Sequence, residues 1–151
     1  MAVVAVTDPV PLADAEGRRV LPLGGAAVVQ CCVDFAVTLR CDRSGSAFEV
    51  RIEQPFTFAA ADGTGTVLDP EGDPAALGPV LACSRTSVLR AAAFEDGRLE
   101  LHFANGSSLL VPTSTEYEGW GLVGPGGLRV VSGPGSKLTI WQPDGSDRAG
   151  E

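Results

Sequence analysis

His102 is the single histidine of this 151-residue chain, and so the one side chain whose ordinary titration falls near neutral pH. Hydrolytic chemistry through it would need a serine on a strained elbow, and no Gly-x-Ser-x-Gly sequence occurs. His102 lies between Leu101 and Phe103, so strand alternation turns it away from their face and makes it a surface residue. Asp69, Glu71 and Asp73 alternate like oxygen ligands of a calcium loop. The remaining spacing of that motif is missing, and Pro70 and Pro74 interrupt the stretch, which reads instead as the approach to a helix. Gly124-Pro125-Gly126-Gly127 and Gly133-Pro134-Gly135-Ser136 lack the lysine pattern of a phosphate loop, and proline removes an amide that would face the phosphate.

The four cysteines, Cys31, Cys32, Cys41 and Cys83, include no Cys-x-x-Cys pair, so a zinc knuckle is not expected. Cys31 and Cys41 share one parity and read as small reduced hydrophobes of the core. No metal, cofactor or catalytic residue is assigned.

Tyr117, Glu118, Trp120 and Trp141 form the candidate binding set. Both tryptophans and the only tyrosine fall in the last quarter of a chain that is 6% aromatic. Trp and Tyr combine large rigid contact area with a polar handle and are enriched at binding hot spots. The competing structural reading is that these rings close one end of the core.

Those residues need a scaffold. With 44% hydrophobic and 20% charged residues, the composition is that of a globular chain. A net charge of −8, with basic residues scattered singly apart from Arg18-Arg19, argues against a nucleic-acid partner. It suits a soluble protein and, alternatively, a basic protein partner. No segment approaches the roughly eighteen apolar residues of a membrane helix. Met1 to Val6 lacks the basic start of an export signal, so no membrane contact and a cytoplasmic location are expected. Ten of the eleven basic residues are Arg, which suggests a high-GC bacterial genome.

Period-two alternation dominates the chain and predicts strands. Val29 through Cys41 and Phe48 through Phe58 read as one long hairpin turning at Ser44-Gly45. Its register would set Cys41 against Phe48, Leu39 against Val50, Val37 against Ile52, Val33 against Phe56 and Cys31 against Phe58. Pro55 in the second arm calls for an edge strand or a bulge. Asp73 and Pro74 suit the cap and first position of a short helix over Pro74 to Cys83, made irregular by Gly78 and Pro79.

A meander follows. Leu89, Ala91 and Ala93, then Leu99, Leu101 and Phe103, then Leu109 and Val111 share one face only if three-residue loops end in left-handed Gly97 and Gly106. Tyr117 to Val123, Leu128 to Val131 and Lys137 to Trp141 read as further strands. Pro-Gly pairs between them suit type II turns. The halves are faintly alike, with Leu39, Cys41, Phe48 and Val50 matching Leu101, Phe103, Leu109 and Val111.

The run from Phe94 to Gly106 resembles one family's pattern. So do Asp34-Phe35, Phe56, Asp69-Pro70 to Leu81, Val111-Pro112, Tyr117-Glu118-Gly119-Trp120, Gly124 to Gly127, and Pro134-Gly135 to Trp141. That family consists of small proteins of high-GC bacteria, classed only as a domain of unknown function, and the resemblance covers about residues 25–141. It implies no activity and no catalytic residue.

The expected fold is mainly β, with antiparallel hairpins packed as a sandwich or half-open barrel and one short helix; the alternative is α+β. Residues 1–18 read as a loose lead-in, 19–141 as one domain and 142–151 as a frayed tail. The expected function is a non-enzymatic protein-binding module with an acidic surface, in one version an immunity-type inhibitor. The rival is a small-molecule or carbohydrate-binding domain with Trp120 and Trp141 lining its pocket.

Overall fold

Alternating apolar residues pair here through thirteen strands. The computed structural model describes residues 14–15, 17–113, 119–133 and 137–141. The lead-in over 1–13, the tail over 142–151, and Tyr117 and Glu118 lie outside the described residues.

The strands are β1 (Asp14–Ala15), β2 (Arg18–Val20), β3 (Ala27–Val33), β4 (Val37–Arg43), β5 (Ser46–Ile52), β6 (Phe56–Ala59), β7 (Gly65–Leu68), β8 (Val88–Phe94), β9 (Leu99–Phe103), β10 (Ser108–Val111), β11 (Trp120–Val123), β12 (Arg129–Gly133) and β13 (Lys137–Trp141). They form two antiparallel sheets, one of seven strands ordered β1-β2-β8-β9-β10-β6-β7 and one of six ordered β13-β12-β11-β5-β4-β3. Their inner faces make a β sandwich around a single core that includes Leu39, Val50, Ile52, Phe56, Leu101, Phe103 and Leu122, each at most 1% exposed.

The expected turn at Ser44-Gly45 forms, with φ of 52° and 87°, the signs a two-residue hairpin turn requires. Cys41 faces Phe48, Leu39 faces Val50 and Val37 faces Ile52, as read from the sequence. The outer half of that hairpin does not exist. Val33 pairs with Val37 and Cys31 with Leu39, because the chain reverses at Asp34, whose Oδ1 accepts the Ala36 amide at 2.7 Å. Phe35 is left at the turn, 78% exposed. Phe56 and Phe58 belong to the other sheet. Pro55 sits in the crossing between Ile52 and Phe56, where it owes no ladder bond.

Bulges at Val28/Gln30 and Val88/Arg90 put one extra residue in β3 and β8. The extra residues, Val29 and Leu89, are therefore 61% and 59% exposed, against the inward parity expected of them. Residues 14–15, read as lead-in, are a short strand paired with β2.

The expected loops after β8 and β9 form, with Gly97 at φ 96° and Gly106 at φ 93°. The helix over Pro74–Cys83 is a 3₁₀ segment capped by Asp73, whose side chain accepts the Ala75 amide. Three residues per turn bring Leu77, Val80 and Cys83 to one buried face. Gly126 has φ 72° and ψ 15°, as the second central residue of a type II turn does.

The halves repeat with strands exchanged. Val28 N–H donates to Thr86 O and Val88 N–H to Ala26 O, both at 2.8 Å. Gly25 N–H donates to Val88 O at 2.8 Å and Arg85 N–H to Val28 O at 2.9 Å. Each bond becomes the other when residue numbers move by sixty, with Ala27 facing Ser87 at the centre. The meander β3-β4-β5 matches β8-β9-β10, and each half lends its next hairpin to the other sheet: β6-β7 adds beside β10, and β11-β12 beside β5. The pairings equate Val50 with Leu109 and Phe56 with Trp120. The sequence comparison, which matched Phe48 to Leu109, is thus one alternation out of step, because the two turns differ in length.

Trp120 ties the layers together. It is 2% exposed, and its indole Nε1–H donates to Gly97 O in the β8–β9 loop of the facing sheet at 2.8 Å. Gln54 is packed close by, 4% exposed, with Nε2 donating to Pro112 O at 3.0 Å. A Cβ on Gly119 would lie 1.7 Å from Gln54 Oε1.

Trp120→Phe removes one buried hydrogen bond and should cost about 1–3 kcal/mol, and Trp120→Ala about 3–5, in urea unfolding. Gly119→Ala displaces Gln54 and should cost about 1–3 kcal/mol. In a Gln54→Ala background that penalty should mostly vanish, a coupling that a double-mutant cycle reads directly.

Candidate functional site

The outer face of the six-stranded sheet carries two side-chain rows. One runs Gln30, Arg40, Glu49, Val123, Arg129 and Trp141 across all six strands. The next runs Cys32, Thr38, Arg51, Gly121, Val131 and Thr139. Ion pairs lace the first part of this face: Arg40 Nε lies 3.6 Å from Glu49 and Arg51 Nε 2.7 Å from Glu53. The bond to Glu53 pushes the Arg51 guanidinium further up from its ordinary range.

Gly121 contributes no side chain between Arg51 and Val131, and a trough of about 180 Å³ opens there, walled by Glu49, Arg51, Val123 and Arg129. A Cβ on Gly121 would meet nothing closer than 3.7 Å, so the trough exists by choice of residue and not by crowding.

Trp141 closes the row. It is 47% exposed, and the Arg129 guanidinium lies over its ring at 5.5 Å, which fixes the indole and keeps its remaining surface available. Val123 and Val29, 52% and 61% exposed, lie along the same face. A broader depression of about 610 Å³ lies between Val29, Ala47 and Val123.

Trp120 and Trp141, the two candidate residues among those described, do not share a site. Trp120 points into the core. It pairs across the sheet with Ser132, whereas Trp141 pairs with Arg129 at the opposite end of β12. The two indoles therefore lie on opposite faces and at opposite strand ends, and they cannot line one pocket. Tyr117 and Glu118 lie outside the described residues. Of the four, Trp141 alone is placed at an open surface among the described residues. Parity along Leu138, Ile140 and Trp141 carried the signal that separates it from Trp120.

His102 does project outward, on the seven-stranded sheet, with Nε2 3.4 Å from Glu100 Oε1. Ser108 is its cross-strand neighbour. Beside them runs a row that the sequence reading passed over: Val20, Ala92, Glu100, Leu110, Thr57 and Val67. Its apolar members Val20, Leu110 and Val67 are 42%, 38% and 71% exposed.

The acidity is not on the sheets. The described strands hold Asp14, Asp42, Glu49 and Glu100 against eight basic residues, Arg18, Arg19, Arg40, Arg43, Arg51, Arg90, Arg129 and Lys137. Exposed carboxylates gather in loops, at Asp34, Asp62, Asp69, Glu71 and Asp73. Asp69 and Asp73 use Oδ1 to accept the Glu71 and Ala75 amides at 3.0 Å, which makes them turn and cap residues. Hydrogen bonds from Thr64 hold the Asp62 carboxyl below its ordinary range. No helix among the described residues is long and apolar enough to cross a membrane.

No curated protein and no solved structure matches the chain. A family model does, over residues 19–142, a span that runs from β2 to β13. The chain therefore belongs to the family of unknown function DUF6188.

Proposed function

We propose that this chain is a non-enzymatic module that binds a protein partner through the outer face of its six-stranded sheet, with Trp141 as the anchor. One observation carries the reading: a half-exposed indole, stacked by Arg129, stands at the end of the outer row that also carries the exposed Val123. A rigid aromatic next to a charged, hydrogen-bonding rim is the composition that concentrates binding energy. The separation of Trp120 from Trp141 removes the motive for a sugar or small-molecule pocket between them.

A net charge of −8, with carboxylates exposed in loops, suits a basic partner. The loops would attract it over a Debye length, and the face would hold it. A concrete version is an immunity-type inhibitor of a basic toxin in a bacterial cytoplasm, which rests on analogy of class.

Partner recovery from the native cell tests the reading. Trp141→Ala should leave the urea midpoint within about 0.5 kcal/mol of the parent and lower affinity for the recovered partner by about 30-fold or more, as loss of a hot-spot tryptophan does. Gly121→Val should fill the trough and weaken the same partner with the fold intact. Leu110→Lys, on the opposite sheet, should bind as the parent does. Equal recovery by all four proteins would remove the six-stranded face as the binding surface.

A further inference from the structure

Three of the four thiols meet at one place in the sandwich. Cys31 and Cys41 face inward from β3 and β4, and Cys83 is the last residue of the 3₁₀ segment, which packs against β3. The Cys31 and Cys83 side chains are neighbours across that packing. Cys83 and Cys41 are buried, whereas Cys31 is only partly so. Cys32 faces outward in the row with Thr38 and Arg51.

The internal repeat shows that the fold does not require sulfur here. Cys31 corresponds to Ala91, and Cys41 to Phe103, by their places in the two meanders. Cys83 corresponds to Leu23, since Thr86 N–H bonds Cys83 O as Ala26 N–H bonds Leu23 O. Those three positions are filled by buried hydrocarbon side chains, so packing alone is served without a thiol. The chain has instead placed a reachable sulfur against a buried one.

We propose that Cys31 and Cys83 form an oxidation site that a peroxide converts into an intramolecular disulfide. The Cys31 thiolate attacks one oxygen of hydrogen peroxide, the O–O bond breaks, and sulfenic acid forms at Cys31 with release of one water. The Cys83 sulfur then attacks the sulfenic sulfur. The S–O bond breaks, the S–S bond forms, and the Cys83 proton leaves with the hydroxyl as a second water. Two thiols are oxidised by two electrons, and one peroxide is reduced to two waters.

The division of roles follows from position. The neighbouring Cys83 thiol lowers the Cys31 thiol from its ordinary range, and partial exposure lets an oxidant reach it. The contact with Cys31, together with burial, raises Cys83, which makes it a poor first target and a well-placed second one. Burial raises Cys41 to about 11, so it stays a thiol.

Peptide mapping of the full chain after hydrogen peroxide and denaturing alkylation tests this. Two of the four thiols should resist alkylation, joined as Cys31 to Cys83, and dithiothreitol should restore all four. Cys83→Ser should give no internal link and should trap Cys31 as a sulfenic acid that dimedone labels. Cys32→Ser and Cys41→Ala should keep the link. A Cys31–Cys41 bond, first oxidation at Cys32, or Cys83 remaining fully alkylatable would each overturn the assignment. Should Cys83→Ser fail to fold, the parent's map decides alone.

Discussion

Four backbone hydrogen bonds around Ala27 and Ser87 fasten the first strand of one three-stranded meander to the first strand of the other. They close the sandwich along one side and satisfy amides that an open edge would leave bare. The bulges just beyond them increase the local twist and send the two strands into separate layers. The geometry demands a left-handed residue on each side, Gly25 at φ 87° and Arg85 at φ 74°. Arginine accepts that conformation at a cost of about 1–2 kcal/mol, which the surrounding ladder holds in place.

The parts of this fold legible in the sequence were those set by local rules. Parity and turn chemistry placed β4 against β5 in the right register, and the same reasoning chose three-residue loops at Gly97 and Gly106. Asp73 and Pro74 announced the helix entry. What escaped was set by distance or by single insertions. Nothing in alternation says that a strand reverses at Asp34 or crosses sheets at Pro55, since both courses keep Cys31, Val33, Phe56 and Phe58 inward. A bulge adds one residue without a compositional mark, so Val29 and Leu89 were read as buried. The aromatic set was judged by residue type, and type is silent about face: Trp120 and Trp141 differ in parity and in position along the sheet, and that difference decides their roles.

The two outer faces have diverged on equivalent frames. Where one presents Arg40 and Arg51 with their acidic partners and Arg129 over Trp141, the other presents His102, Leu110 and Gly65 at the places matching the three arginines. Since the frame is shared, these differences are not set by what the core needs. The charged face bears the anchored indole and the trough over Gly121, which together give it relief as well as chemistry.

The exchanged hairpins have a consequence for how the chain is made. During synthesis β5 emerges with a free flank, and the strand that covers it, β11, begins some seventy residues later at Trp120. Until then the first three-stranded unit exposes a full row of amides and carbonyls, so it cannot mature before nearly the whole chain has left the ribosome. Two nascent copies side by side could each supply the strand the other awaits, which makes crowded polysomes the setting in which this architecture is most exposed to intertwined assembly.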